Sequence, residues 1–244
     1  MKFISMLFFI VYSLLSIHAH ASKIVKNKTL WSQWYTVTAN GKPHAYYLEE
    51  VELRPANNQI ALSQHWWEKN NFGIQEFYIG AVAKNDKQYS PVAFFVEKKN
   101  PNFNIDGRVK KNTLIIKIKT NEKNTQSLNL NLEKGVIFSN YLPLLLAKHF
   151  KEKKPGNLFY SAILEDGLAG SYQLESGTAI FAKEKTLSKI NNEKCFKAEN
   201  TFQGISSTWW ISEKGKICSV KIPDYQRELK TSTEKEAMHF FDQK

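Results

Sequence analysis

The stretch 206-SSTWWISEKGKICSV-220 sets two tryptophans side by side in a run of β-type residues that ends in a Glu-Lys-Gly turn. Successive residues of a strand point to opposite faces of a sheet, so Trp209 and Trp210 cannot share one core. If Glu213-Lys214-Gly215 closes a hairpin, Trp210 shares a face with Cys218, Val220 and Ile222, and Trp209 shares the other with Ile205, Ile211 and Ile217. Both faces are then apolar. The same holds at Trp66-Trp67, where Ile60, Leu62 and Trp66 alternate with Ala61, Ser63, His65 and Trp67. A sheet with one solvated face alternates cleanly between apolar and polar residues. Parts of this sheet are therefore expected to be covered on both sides, by helices or by its own curvature, or on one face by an apolar ligand.

Outward from this hairpin, short β-type runs alternate with turn signals, the pattern of an all-β sandwich, barrel or open curved sheet. Expected strands are Trp31–Val37, His44–Arg54, Gln59–Trp67, Gly73–Val82, Val92–Glu97, Leu114–Thr120, Leu128–Leu132 and Gly135–Ser139. A second set is Leu158–Leu164, Gly170–Leu174, Thr178–Lys183, Cys195–Phe202, Ile205–Ser212 and Lys216–Ile222. Asn40-Gly41, Asn70-Asn71, Asp106-Gly107, Asp166-Gly167 and Lys214-Gly215 read as turns, because Gly, Asn and Asp tolerate positive φ.

Two stretches break the β pattern. In SNYLPLLLAKHFKEK, Asn140 can cap a helix whose first turn accepts Pro143. Leu142, Leu144, Leu145, Leu146 and Phe150 make that helix apolar nearly all round, which marks a buried helix. In LKTSTEKEAMHFFDQK, both Thr231…Glu234 and Thr233…Glu236 have capping-box spacing, so a short C-terminal helix is expected. The fold class is mainly β: a single large curved antiparallel sheet, a half-barrel or open barrel, with a buried central helix and a short C-terminal helix.

The first residues, MKFISMLFFIVYSLLSIHAHA, combine Lys2, an apolar run and Ala19-His20-Ala21, the composition of a secretory signal peptide (1–21) cleaved after Ala21. The run is short of the ~20 residues that span a bilayer. No cysteine follows the cleavage site to carry a lipid anchor. Residues 22–244 are thus expected to form a single mainly-β domain in the periplasm, not transmembrane once the leader is removed. The net charge of +11 favours anionic envelope components as partners. Basic and aromatic residues do not interleave as in RNA-binding motifs, so nucleic acid is not expected.

Cys195 and Cys218 are the only cysteines. An oxidising compartment favours a disulfide. Strand spacing opposes it: with Cys218 opposite Trp210 and Trp210 beside Lys197, the two cysteines sit two strands and a two-residue offset apart, beyond the ~7 Å that a bridge allows. The pair is left open at this stage.

Catalysis finds little support. His44, His65, His149 and His239 lack any metal-protease spacing, and no G-x-S-x-G elbow or phosphate loop occurs. Glu49-Glu50 and Glu165-Asp166 read as a solvated strand and a turn. No catalytic residue, metal or cofactor is expected.

The late segments LLAKHFKEKKPGNLFYSAILEDG and CFKAENTFQGISSTWWISEKGKICSVKIPDYQRELKTSTEKEA resemble exported proteins whose sheet ends in a strand, a tryptophan-bearing strand, a Lys-Gly turn, a further strand and a short S/T-E-x-E-A helix. That arrangement is similar to periplasmic domains of unknown function related to the lipoprotein-carrier (LolA/LolB-like) group. The resemblance covers about the C-terminal half, and the N-terminal half carries extra aromatic strands outside it. It implies a half-barrel plugged by helices, with an apolar concave face that receives acyl chains. The expected function is non-enzymatic binding of a hydrophobic, lipid-like ligand, with Trp66, Trp67, Leu145, Trp209 and Trp210 as candidate binding residues. The alternative is a structural or adaptor protein of the envelope without a small-molecule ligand.

Overall fold

The computed structural model describes residues 26–99, 103–121, 124–152, 156–165, 172–181, 187–190 and 193–242. The expected leader and its cleavage site, the expected turn at Asp166-Gly167 and the first two residues of the strand expected at Gly170–Leu174 lie outside them; residues 172–174 are described and are not strand.

The strands are β1 (Lys28–Ala39), β2 (Lys42–Arg54), β3 (Gln59–Asn70), β4 (Gly73–Lys84), β5 (Pro91–Lys98), β6 (Phe103–Lys110), β7 (Thr113–Asn121) and β8 (Asn124–Asn131). They continue as β9 (Val136–Phe138), β10 (Asn157–Ile163), β11 (Glu175–Phe181), β12 (Leu187–Ile190), β13 (Glu193–Phe202), β14 (Ile205–Ser212), β15 (Ile217–Ile222) and β16 (Arg227–Ser232). All belong to one sheet, in the order β8-β7-β6-β5-β4-β3-β2-β1-β16-β15-β14-β13-β11-β10-β9, with β12 beside β13. Neighbours are antiparallel except β9 and β10. The chain thus runs outward by hairpins from β1 to one edge at β8, and its last strand returns to pair with β1.

The sheet is curved and does not close. Its β9–β10 end tucks inside the curl of the N-terminal strands: Val136, Phe138 and Ile163 join one core cluster with Leu62, Phe94, Ile105 and Leu114. Phe94 and Phe138 meet edge to face with ring centroids 5.4 Å apart. The same curl holds helix α1 (Leu142–Lys151), whose Leu142, Leu144, Leu146 and Ala147 are buried. Tyr141, at its start, sets its hydroxyl 2.7 Å from the Ile60 carbonyl and 2.9 Å from that of Ala81. The helix is therefore tied to β3 and β4 by polar as well as apolar contacts.

Asn140 is not the cap of this helix. A 3-10 turn at Ser139–Tyr141 precedes it, with no side-chain cap of its own. Glu165 supplies the acceptor instead: its carboxylate takes the Ser139 amide at 3.1 Å, the Ser139 hydroxyl at 2.6 Å and the Asn140 amide at 3.3 Å. Glu165 is 1% exposed, so the expected solvated turn is in its first residue a buried anchor. Amide groups at a helix start need acceptors, and burial excludes water from that role. At the other end, Thr233 and Glu236 form the capping box of α2 (Glu234–Met238), while Thr231 belongs to β16.

Strands β6, β12 and β16 are additions to the expected set. Asp106-Gly107 is mid-strand in β6 and not a turn. Gly107 is there for close approach: a Cβ on it would lie 2.0 Å from the ring of Phe94, which packs flat across the strand. Gly107→Ala is expected to cost about 1–3 kcal/mol, the range for overpacking a filled core. Urea denaturation checks it, and an unchanged midpoint would contradict the packing described.

Candidate functional site

One face of the sheet is concave, and directly paired residues line it in rows. Tyr35, Tyr47, Trp66 and Phe77 oppose one another in turn across β1, β2, β3 and β4. Their rings stack, with centroids 4.8 Å apart for Tyr35–Tyr47, 3.9 Å for Tyr47–Trp66 and 5.8 Å for Trp66–Phe77. Lys98, opposite Phe77, places its ammonium 5.0 Å from that ring. A second row runs from Val37 through Leu229 and Val220 to Trp209 and Ala198. The two rows start two residues apart on β1, and the sheet's curvature turns them toward each other.

Between them lies a cavity of about 330 Å³. Trp66 and Trp209 both line it, with Tyr47, Phe77, Ile217 and Val220. Its polar lining residues include His44 and Glu68, whose Nε2 and Oε1 lie 3.0 Å apart, with Lys98 and Arg227. These stand near the strand ends that lead into the β1–β2, β3–β4, β5–β6 and β15–β16 connections. Apolar walls with a few polar groups at one end are the usual makeup of a small-molecule site, and the volume falls at the lower end of the usual ~300–1,000 Å³.

Each tryptophan is held by its indole N–H. Trp66 donates to Gln64 Oε1 at 3.0 Å; Gln64 Nε2 donates to Glu49 at 2.9 Å, and Trp31 donates to the same carboxylate at 3.1 Å. Trp209 donates to Ser207 Oγ at 2.8 Å, which in turn donates to the Asn200 carbonyl at 3.2 Å. Tyr160 donates to the Asn200 side chain at 2.7 Å. In both cases the partner is the residue two earlier on the same strand, hence on the same face.

Glu49 corrects the expectation of a solvated strand at Glu49-Glu50. Glu50 is exposed, but Glu49 points into the concave side and is 3% exposed. Burial pushes its pKa up, against the hydrogen bonds from Gln64 and Trp31. The folded state therefore holds this proton more tightly than the unfolded chain does. The associated stability is complete below the unfolded value, near 4.5, and is lost as pH rises through the raised folded value. Relative to Glu49→Gln, wild-type protein should lose up to about 1.4 kcal/mol per pH unit across that window. Melting temperatures of both proteins from pH 4 to 7 would show it; an opposite trend would contradict the assignment.

The structure separates the other candidates from the cavity. Trp67 faces the convex side, stacked on Tyr46 at 5.0 Å and Trp34 at 5.8 Å, with Phe241 and the α2 region packed against the group. Trp210 is also convex and half-exposed, with the Lys221 ammonium 5.9 Å from its ring. Leu145 lies among the core residues of α1 and does not line the cavity. The expected grouping of Val220 and Ile222 with Trp210 is also corrected. Trp210 pairs with Ser219 and Ile211 with Ile217, so Cys218 is the extra residue of a β-bulge and Val220 opposes Trp209.

That bulge resolves the cysteine pair. Cys195 pairs with Ser212 at the end of β14, and Cys218 bonds to it with a Cα–Cα distance of 6.6 Å. β13 and β15 approach each other where β14 stops, and Lys216 and Glu193 form an ion pair of 2.6 Å beside the bridge. The flat two-strand separation used for the expectation does not apply there.

No group of three or more His, Cys, Asp or Glu suited to a metal ion occurs among the described residues. No helix among them is long and apolar enough to cross a membrane. No family model and no curated protein matches the sequence. Two solved structures match, the first of them similar in fold. A beta-barrel-like protein of the domain of unknown function DUF1849 from Brucella abortus superposes with a TM-score of 0.56 at 10% identity, over 83% of this chain and 95% of that one. A DUF1089 family protein from Pseudomonas aeruginosa has a TM-score of 0.42 at 8% identity, over 73% of this chain and 90% of its own. The chain has a beta-barrel-like fold. The finer likeness to lipoprotein carriers is not carried by these comparisons.

Proposed function

We propose that the protein is an exported, non-enzymatic periplasmic protein that binds a hydrophobic, lipid-like ligand in the concave cavity. The observation that carries this reading is that Trp66 and Trp209, from distant parts of the chain, wall one apolar cavity. Burial of acyl methylenes there supplies affinity at ~0.8 kcal/mol each. Lys98 and Arg227 at the polar end suit an anionic head group. The β3–β4 tip on the same rim carries Phe72, 98% exposed, as an apolar contact for a lipid surface. The likeness of the late segments to lipoprotein carriers points the same way.

A single-chain phospholipid titrated below its micelle concentration should change tryptophan fluorescence in a saturable manner. Trp209→Ala should weaken binding about tenfold or more, and Trp210→Ala should leave it unchanged. Equal effects of the two substitutions would overturn the reading.

A second reading rests on the sheet edge. β8 has a neighbour on one side only, Thr125 to Asn129 are exposed, and the strand carries no charge. Natural sheet edges are usually guarded by charge, proline or a bulge. An envelope partner that adds a strand there would make the protein an adaptor; a capture experiment with a charged β8 variant, Ser127→Lys, separates that role from ligand binding.

A further inference from the structure

At the end of the sheet away from the Phe72 tip, a second and larger concavity of about 1,020 Å³ is framed by the β4–β5 loop, the β6–β7 turn and the segment joining β8 to β9. Its apolar floor includes Val92, Val109, Leu132 and Val136. Four lysines border it: Lys84 from the end of β4, Lys87 from the first loop, Lys111 from the turn and Lys134 from the last segment. None of the four has an ion-pair partner among the described residues.

Two acids share the lining, Asp86 and Glu133. Asp86 is engaged by its own loop: its carboxylate accepts the Gln88 amide at 3.0 Å and the Ser90 amide at 3.1 Å. Burial would raise its pKa, but hydrogen bonds from the Ser90 side chain and from the Ser90, Gln88 and Tyr89 amides outweigh it and hold the carboxyl below its usual value. Lys148 fixes the same loop from α1 by donating to the Asp86 carbonyl at 3.0 Å. Four exposed lysines thus border one basin, with Glu133 as the remaining opposing charge.

We infer that this basin is a second binding site, separate from the Trp66–Trp209 cavity, for a ligand carrying several phosphate groups. Lysines are compact point charges suited to phosphate oxygens, and four spread around a bowl suit more than one phosphate. The concave shape does not match a flat acidic protein surface. The lining holds no aromatic ring on which a nucleic-acid base could stack. The phosphates can belong to a free polyphosphate or to lipid head groups, and the site does not depend on the lipid reading of the other cavity.

The test uses two probes, inorganic tripolyphosphate by titration calorimetry and phosphatidylcholine vesicles with and without phosphatidic acid by co-flotation. The proteins are wild type, the basin variant K84Q/K87Q/K111Q/K134Q, and a control K42Q/K69Q/K221Q/K230Q that removes equal charge elsewhere. Wild type should bind at least one probe, at least about tenfold more weakly in 0.5 M salt, as expected for screened charges. The basin variant should lose that binding at least tenfold and the control should keep it. Binding of tripolyphosphate identifies a soluble ligand, and binding of the vesicles alone identifies a head group. No binding of either probe, or equal loss in basin and control variants, would overturn the site.

Discussion

Replacing both bridge cysteines, Cys195→Ala with Cys218→Ala, is expected to lower stability by about 3–4 kcal/mol, the loop-closure contribution for a sequence separation of 23. The loss should appear as a lower urea midpoint with an altered slope, because the unfolded chain becomes free to expand. The bridge clamps β13 to β15 beyond the end of β14, at the bulge that turns Val220 toward Trp209. The variant should therefore also weaken ligand binding. Stability within about 0.5 kcal/mol of wild type would mean that the bulge is held by packing alone.

The two cavity tryptophans should respond differently to truncation. Trp66 is stacked between Tyr47 and Phe77 and anchors the chain of hydrogen bonds to Glu49, so Trp66→Ala should cost about 3–5 kcal/mol. It also strands Gln64 beside a buried carboxylate. Trp209 has no ring stacked on it among the described residues; it opposes Val220 and Ala198, packs half-buried at the margin of two core clusters and lines the cavity. Trp209→Ala should cost less stability and more affinity. Thermal melts alongside the fluorescence titration measure both, and the reverse ranking would mean that Trp209 is the packing residue and Trp66 the cavity wall.

Most of the sheet was legible in the sequence because period-two alternation survives wherever one face is buried. Failures arose where a local signal had a tertiary cause. Asp106-Gly107 resembles a turn, yet the glycine is there because Phe94 lies across it. Glu165 resembles a solvated turn residue, yet the amides it accepts belong to a segment brought to it only by folding. The opposite orientations of the paired tryptophans followed from strand geometry alone. Which of each pair faced inward did not, because curvature is a property of the whole sheet. The one-residue bulge at Cys218 moved Val220 from one face to the other, and nothing in the hairpin sequence marked it. Trp66 and Trp209 were both candidates, but their meeting depends on strand order, in particular on β16 pairing with β1. The lysine basin had no linear signature, since its residues come from three separate connections and the strand ends beside them.

The most direct measurement is native mass spectrometry, combined with lipid extraction, on protein expressed from the full sequence with residues 1–21 in place and purified without detergent. The expected result is an acyl-containing species that accompanies wild-type protein and Trp210→Ala but is missing from Trp209→Ala. A wild-type mass without any adduct, together with fluorescence that does not respond to added phospholipid, would contradict a ligand cavity between Trp66 and Trp209.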